Sequence, residues 1–121
     1  MSENRREKGA SGEQIAADFL CRKGYTVLYR NFTVRGGELD IVALCGDFLC
    51  FVEVKTRKNT RFGTGCEAVD ARKIARLTCA AERFLYEHRD DAALRDKTIR
   101  FDVIEIYMQS RTIRHIKGID L

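Results

Sequence analysis

GELDIVA at residues 37–43 and FVEVK at residues 51–55 are the two segments around which the chain is organised. In both, apolar residues, several of them β-branched, alternate with charged ones, which is typical of strands. Cys45, Gly46 and Asp47 between them favour a tight turn. The two segments therefore predict a β-hairpin.

The register of this hairpin decides what its charged residues can do. A two-residue turn at residues 46–47 places Asp40 opposite Glu53, and Glu38 opposite Lys55. Two carboxylates about 5 Å apart repel by about 3 kcal/mol at an effective dielectric of about 20. A divalent cation held by both carboxylates would remove this repulsion, and so would Lys55 or a nearby arginine as a simple counter-ion. A slip of one residue would instead put the two acids on opposite faces.

The composition is that of an ordinary globular domain. The chain has 121 residues, of which 45% are hydrophobic and 33% are charged, and these values suit one compact domain. No apolar run is long enough to span a bilayer and no secretory signal is evident, so we expect no membrane association. The net charge of +4 only weakly favours a polyanionic partner such as nucleic acid.

The cysteines indicate a reducing compartment. They are odd in number and scattered, without a CxxC pair, which suits a cytoplasmic protein better than a disulfide framework. The two histidines are not spaced with them for a zinc site. The cysteines are Cys21, Cys45, Cys50, Cys66 and Cys79, and the histidines are His88 and His115. We therefore expect a cytoplasmic localisation.

The N-terminal part of the chain predicts a leader followed by a helix. Residues 1–10 are polar and charged and predict a mobile basic leader, so that residues 11–121 form a single domain. Ser11 is a suitable helix N-cap and Gly24 a suitable C-cap. Glu13 in the first turn would complement the helix dipole, which is its simpler interpretation. Alternatively, Glu13 overhangs the hairpin face and adds a third carboxylate.

The remaining segments predict further strands and a crossover helix. The expected strands cover residues 25–32, 98–107 and 111–117, and the expected helix runs from Glu67 or Asp70 to His88. Residues 88–97 are charged and predict a loop, and Asp102 is expected to be structural or exposed. We therefore expect an α/β fold with a mixed sheet of about five strands flanked by helices.

The segment after the hairpin, residues 56–65, has no hydrophobic period and contains two glycines. Its cations Arg57, Lys58 and Arg61 have no neighbouring acid, and Phe62 is free to stack on a base. Two interpretations are open: a solvated connection, or a mobile loop that grips phosphate beside the acidic face.

Asp40, Glu53 and Lys55 together supply the groups that phosphodiester cleavage requires. Cleavage needs an activated water and stabilisation of charge on the phosphate, which carboxylates holding Mg²⁺ and a neighbouring lysine can provide. An Asp followed by Glu-x-Lys occurs often by chance. Its position on two adjacent apolar strands makes the pattern more specific, because unpaired charge is disfavoured there.

On these residues the chain resembles the YraN family of uncharacterised bacterial proteins. The matching blocks, spread over nearly the whole chain, are Gly12-Glu13, Asn31, GELDIVA, FVEVKTR, Gly63, Ala68-Val69 and Lys73. That family is similar to Holliday junction resolvases and other PD-(D/E)xK nucleases of restriction-endonuclease-like fold. The resemblance implies Asp40 and Glu53 as metal ligands and Lys55 as the catalytic lysine. It also implies Glu13 as the acid that completes the site, with Glu38 as a supporting partner of Lys55.

The predicted function is that of a Mg²⁺- or Mn²⁺-dependent endonuclease selective for branched or otherwise structured DNA, similar to a Holliday junction resolvase. Phosphate contacts without base readout are expected from Arg57, Lys58, Arg61, Lys73 and Arg76. A homodimer fits this prediction, because resolvases cut two strands symmetrically.

Two alternatives to this function are open. One is a nuclease-fold module that binds nucleic acid or a protein partner without cutting. The other is a soluble α/β domain with a structural ion cluster, which is less favoured because it gives the repulsion between Asp40 and Glu53 no purpose.

Overall fold

The structure is a computed structural model that describes the backbone of residues 2–58 and 71–120, and the side chains from residue 12 onward. Within these ranges the chain forms three helices and five strands. They are α1 (Ser2–Arg22), β1 (Thr26–Val34), β2 (Gly37–Cys45), β3 (Phe48–Arg57), α2 (Ala71–Glu87), α3 (Ala92–Arg95), β4 (Thr98–Tyr107) and β5 (Thr112–Ile116).

The strands described form one mixed sheet of five, in the order β1-β2-β3-β4-β5. β3 and β4 are parallel, and every other neighbouring pair is antiparallel. Because parallel neighbours need a crossover connection, the chain between β3 and β4 carries α2. The expected α/β fold, a mixed sheet of about five strands flanked by helices, is confirmed.

The β2–β3 hairpin has the register that the turn residues predict. Its ladder runs from the pair Cys45–Phe48 to the pair Ile41–Val52. Gly46 takes a φ of +56°, the left-handed conformation that a two-residue hairpin turn requires. Within this ladder, even-numbered residues of β2 and odd-numbered residues of β3 therefore share one face of the sheet, as the alternation indicates. Before the ladder the alternation shifts, because Leu39 lies on the same face as Val42.

Each face of the sheet carries one long helix over its own apolar core. α1 packs Ala16, Ala17 and Leu20 on one face, and α2 packs Leu77, Ala80 and Phe84 on the other. The sheet residues beneath α1 are Ile41, Ala43, Cys50, Val52, Ile104 and Ile106, and those beneath α2 are Leu39, Val42, Leu49 and Phe51. The sheet is thus the buried middle layer of three.

Two glycines set how closely these helices approach the hairpin. A Cβ atom built on Gly12 of α1 would collide with the Thr56 hydroxyl of β3. A Cβ atom built on Gly37 of β2 would collide with the Arg76 carbonyl of α2 and lie 3.0 Å from the Ala80 nitrogen. At Gly37 the absence of a side chain lets the backbone of α2 lie against β2, and at Gly12 it leaves room for the Thr56 hydroxyl between α1 and β3.

Replacing Gly37 by alanine is expected to reduce the free energy of unfolding by about 3 kcal/mol, because backbone atoms of α2 must move away from β2. Urea denaturation of the purified protein measures this loss. The matched control is Gly24→Ala, which meets no atom within 4 Å but has a φ of +92°. It should lose only about 1 kcal/mol of stability through backbone strain. Equal losses in the two variants would contradict the close-packing explanation.

The start of the first helix differs from the prediction. α1 begins at Ser2, so Ser11 lies inside the helix and is not its N-cap. The charged residues before it are good helix formers, and they outweigh the weak propensity of the Ser11-Gly12 pair. The end of α1 at Arg22, followed by Gly24 with a positive φ, is as expected. The division into a leader of residues 1–10 and a domain of residues 11–121 stays a prediction.

A short helix also replaces part of a predicted loop. α3 occupies residues 92–95 within the segment 88–97, and the Asp91 side chain caps it by accepting a hydrogen bond from Ala93 N at 3.0 Å. Several predictions lie outside the described residues. These concern Arg61, Phe62, Gly63, Cys66, Ala68-Val69 and the start of the long helix at Glu67 or Asp70.

Candidate functional site

Asp40 lies where the two strands of the hairpin separate. The ladder between β2 and β3 ends at Ile41 and Val52, one position before Asp40 and Glu53. Beyond this point Val54 N of β3 donates a hydrogen bond to Asp40 Oδ2 at 2.8 Å. A side-chain carboxylate therefore takes the place of a strand carbonyl, and this fixes the Asp40 carboxyl group beside Glu53 of the next strand.

The carboxyl groups of Asp40 and Glu53 form a hydrogen-bonded pair. Burial raises the pKa of Asp40 to about 8, and the hydrogen bond to Glu53 and the charges of Glu53 and Glu13 act in the same direction. Burial also raises the pKa of Glu53, but the hydrogen bonds from Asp40 and Lys73 and the charges of Lys73 and Lys55 outweigh it and lower the pKa overall. The pKa values of the two neighbouring carboxyl groups are thus shifted in opposite directions, that of Asp40 upwards and that of Glu53 downwards.

Two lysines converge on Glu53. Lys73 Nζ of α2 lies 2.9 Å from Glu53 Oε2, and Lys55 Nζ of β3 lies 3.5 Å from the same oxygen. The Glu53 side chain is 6% exposed, so its charge is neutralised by these ammonium groups more than by solvent. We call Asp40, Glu53, Lys55 and Lys73 the carboxylate–lysine site. The structure brings Asp40, Glu53 and Lys55 together, and their roles as metal ligands and catalytic lysine stay a prediction.

Glu13 lies at the margin of this site. It follows Gly12, whose contact with Thr56 brings α1 against β3, and its negative charge helps to raise the pKa of Asp40. In the described ranges, 2–58 and 71–120, no three His, Cys, Asp or Glu side chains are grouped so that they could hold a metal ion. The structure therefore gathers two carboxylates, Asp40 and Glu53, and the role of Glu13 as a third ligand stays a prediction.

The donor set of the pair suits a hard divalent cation. Two adjacent carboxyl groups supply oxygen ligands, and Mg²⁺ is commonly bound by one or two carboxylates, with waters and substrate phosphates completing its coordination. The two groups also lie against each other in a half-buried position, where a bound cation would relieve their mutual repulsion. Asp40 and Glu53 thus fit the predicted metal, with Glu13 close by.

Glu38 has a different partner from the one expected. Its side chain is 55% exposed, and Glu38 Oε1 lies 3.7 Å from Arg76 Nη2 of α2. Its neighbour in the sheet is Thr33 of β1. The β2–β3 ladder has already ended at Ile41, so Glu38 does not continue it towards Lys55. The predicted support of Lys55 by Glu38 is replaced by an ion pair at the surface.

The predicted phosphate-binding residues occupy different environments. Lys58 is exposed, whereas Arg57 lies beside Glu105 of β4, with Nε and Nη2 both 3.3 Å from Glu105 Oε2. Glu105 is fully buried and also accepts a hydrogen bond from the Tyr107 hydroxyl at 3.1 Å. Lys73 contacts Glu53, Arg76 contacts Glu38, and Arg61 lies outside the described residues. The sequence did not indicate that Glu105 is the partner of Arg57.

Asp102 of β4 belongs to a second buried cluster, on the α1 face. Arg100 donates two hydrogen bonds of 2.9 Å to its two carboxylate oxygens. His115 Nε2 lies 2.9 Å from Oδ2, and Gly118 N donates to Oδ1 at 3.0 Å. Burial raises the pKa of Asp102, but these hydrogen bonds outweigh it and lower the pKa overall. Asp102 is structural, as expected, and it joins β4, β5 and the C-terminal turn.

These contacts define the class of the molecule: an α/β protein whose mixed sheet carries a carboxylate pair, neutralised by two lysines, where β2 and β3 separate. The chain belongs to the uncharacterised protein family UPF0102, which matches it over residues 12–106. This is the YraN family that the sequence resembles.

Curated relatives carry the same family name. The chain is 39% identical to a UPF0102 protein of Clostridioides difficile (strain 630), over 93% of this chain and 96% of the relative. It is 46% identical to a UPF0102 protein of Syntrophomonas wolfei, over 92% and 95%. It is 43% identical to one of Caldicellulosiruptor saccharolyticus, over 87% and 86%.

The described helices also bear on membrane association. Among them, none has the length and apolar character that a membrane span requires.

Proposed function

We propose that this protein is a Mg²⁺- or Mn²⁺-dependent endonuclease that cleaves branched or otherwise structured DNA. The observation that carries the proposal is the carboxylate–lysine site, where Asp40 and Glu53 meet and two ammonium groups lie within 3.5 Å of Glu53. Two carboxyl groups buried side by side reduce the stability of the fold. A role as metal ligands in phosphodiester hydrolysis would explain why the protein has them.

Asp40 and Glu53 would hold the metal, with Glu13 contributing negative charge from α1. When bound, the divalent cation would supply charge stabilisation at the phosphate and make a water more acidic. Asp40 is held in place by Val54 N, so one ligand is oriented before substrate arrives. This preorganisation reduces the rearrangement that binding requires.

Lys55 would act directly on the reacting groups. Its ammonium is held 3.5 Å from Glu53 Oε2, and its side chain is only 18% exposed. Burial lowers the pKa of Lys55, and the neighbouring Lys73 acts in the same direction. From this position Lys55 would donate hydrogen bonds to the attacking water and to a phosphate oxygen as negative charge develops.

DNA would approach along the face that carries α2. Lys58 is exposed and Arg76 is 49% exposed, so both would contact phosphates, and Arg57 and Lys73 would extend the basic surface. Arg61, outside the described residues, stays a candidate for the same role. Such contacts position the duplex without reading its sequence. The preference for branched DNA, the homodimer and the cytoplasmic localisation are parts of the same proposal.

The second candidate function is a module that keeps this scaffold and binds nucleic acid or a protein without cutting. The specific observation in its favour is the ion pair between Lys73 and Glu53, because an ammonium already neutralises the carboxylate that the metal would need.

A cleavage panel separates the two functions. Purified protein is incubated with linear, flapped and four-way DNA in the presence of Mg²⁺, Mn²⁺ or EDTA, and the products are resolved on denaturing gels. We expect metal-dependent cuts in the flapped or four-way DNA and none in Asp40→Asn, because that substitution removes an anionic ligand. Salt-sensitive binding of these DNAs without cleavage in either metal would favour the binding module.

A further inference from the structure

Lys73 forms an ion pair with Glu53, one of the two carboxylates that would bind the metal. Lys73 Nζ and Lys55 Nζ lie 2.9 Å and 3.5 Å from one oxygen, Glu53 Oε2. A divalent cation on Glu53 would add two further positive charges at the same place. Three cationic centres around one half-buried carboxyl pair would repel one another strongly. The metal and the two ammonium groups would therefore compete for the same oxygen, and the movement of one lysine would relieve the repulsion.

The two lysines differ in how readily they can leave. Lys55 projects from β3, which is hydrogen-bonded to β4 along its whole length, and its side chain is 18% exposed. Lys73 is the third residue of α2, and its side chain is 38% exposed at the margin of the site. A long, flexible lysine side chain at the end of a helix can turn towards solvent at small cost. Of the two lysines, Lys73 is therefore the one that can move away from Glu53.

We propose that Lys73 is a built-in counter-ion of Glu53 which a divalent cation displaces, and that its released ammonium then binds the phosphate of the substrate. The inference rests on the proposed metal site. Without metal, Lys73 keeps the carboxylate pair neutralised and the fold intact. With metal, the same side chain is turned from an internal ion pair to the DNA-facing surface of α2. Metal loading and phosphate binding are thereby linked through one side chain.

The first test measures metal affinity directly. Isothermal titration calorimetry with Mn²⁺ compares wild type with Lys73→Met, and uses Arg72→Met as the matched control, because Arg72 is the adjacent exposed cation of α2. Removal of the competing ammonium should tighten Mn²⁺ binding by about tenfold in Lys73→Met. The control should change by less than about twofold, since surface charges are screened. Lys73→Arg, which keeps the cation, should not gain affinity.

Unchanged or weaker Mn²⁺ binding in Lys73→Met, with normal binding in wild type, would overturn the displacement and leave the metal site of the proposed function in place. Absence of Mn²⁺ binding in both proteins would overturn both. These two failures are therefore distinguishable.

A second measurement does not depend on the folding of the methionine variant. In wild type labelled at lysine, the NMR signal of Lys73, assigned with Lys73→Arg, should move to the position of an exposed lysine as Mg²⁺ is added. It should saturate at the same concentration as the calorimetric titration. A Lys73 signal that stays unchanged at saturating metal would overturn the proposal.

Discussion

Lys55→Met is expected to lower the rate of metal-dependent DNA cleavage about a thousandfold, while DNA affinity changes by no more than about twofold. Methionine keeps the length and apolar stem of lysine but has no ammonium to donate hydrogen bonds to water and phosphate. Lys55 is only 18% exposed and lies against Glu53, so it adds little to the surface that meets the duplex. Its loss should therefore reduce the chemical step and spare binding.

Single-turnover cleavage with excess protein, combined with fluorescence anisotropy for binding, separates these two effects. Lys58→Met is the matched control, because Lys58 is an exposed lysine that directly follows β3. It should weaken binding and reduce its salt dependence, with little change in the single-turnover rate at saturating protein. A Lys55→Met protein that cleaves at the wild-type rate once saturated would show that Lys55 is not a catalytic residue.

Asp102→Ala is expected to lower the free energy of unfolding by about 3 kcal/mol. Asp102 is 1% exposed, and its removal leaves Arg100, His115 and Gly118 N without their shared acceptor in a buried position. Urea denaturation at pH 7 measures the loss. Glu82→Ala on the exposed face of α2 removes the same charge and should change stability by less than about 0.5 kcal/mol. Similar losses in both variants would mean that net charge, not the buried cluster, is responsible.

The same cluster should make the protein sensitive to acid. Because hydrogen bonds hold the pKa of Asp102 below its ordinary value in the folded chain, its stabilising contribution is complete above the unfolded pKa of about 3.9. It is lost as pH falls below that value and through the lower folded pKa. Unfolding free energies measured between neutral pH and pH 2 should therefore converge for wild type and Asp102→Ala at the acid end.

The parts of the fold that the sequence predicts are those with a strong local signal. The Gly46-Asp47 turn fixes the hairpin register, because only one pairing satisfies both the turn and the alternation of Asp40 and Glu53 with apolar residues. The strand at residues 98–107 is confirmed with its bounds, because its alternation is regular. This register predicts that the two acids lie side by side, and in the structure they meet just beyond the last pair of the ladder.

The parts that the sequence does not predict depend on tertiary contacts. The approach of Lys73 to Glu53 requires α2 to lie across the hairpin, which only the tertiary fold shows. The one signal in the sequence is that Lys73 stands four positions before the buried Leu77, and therefore on the same side of the helix. Glu38 turns towards Arg76 because β2 and β3 have already separated, which no local pattern indicates. The sequence does not distinguish Glu105 from an exposed charged residue of a strand. Its burial and its contact with Arg57 are visible only in the fold.

Because β2 and β3 separate at Asp40, the side chain at position 40 also serves the backbone of β3. The choice of substitution there therefore determines what a complementation experiment measures. Because the Asp40 carboxylate receives Val54 N at 2.8 Å, alanine at this position would leave a main-chain amide without an acceptor, which destabilises by about 1–3 kcal/mol. Asparagine still offers an oxygen to that amide while removing the negative charge. In a complementation experiment in cells, an alanine allele would therefore combine lost chemistry with lowered protein abundance. An asparagine allele would report the chemistry alone.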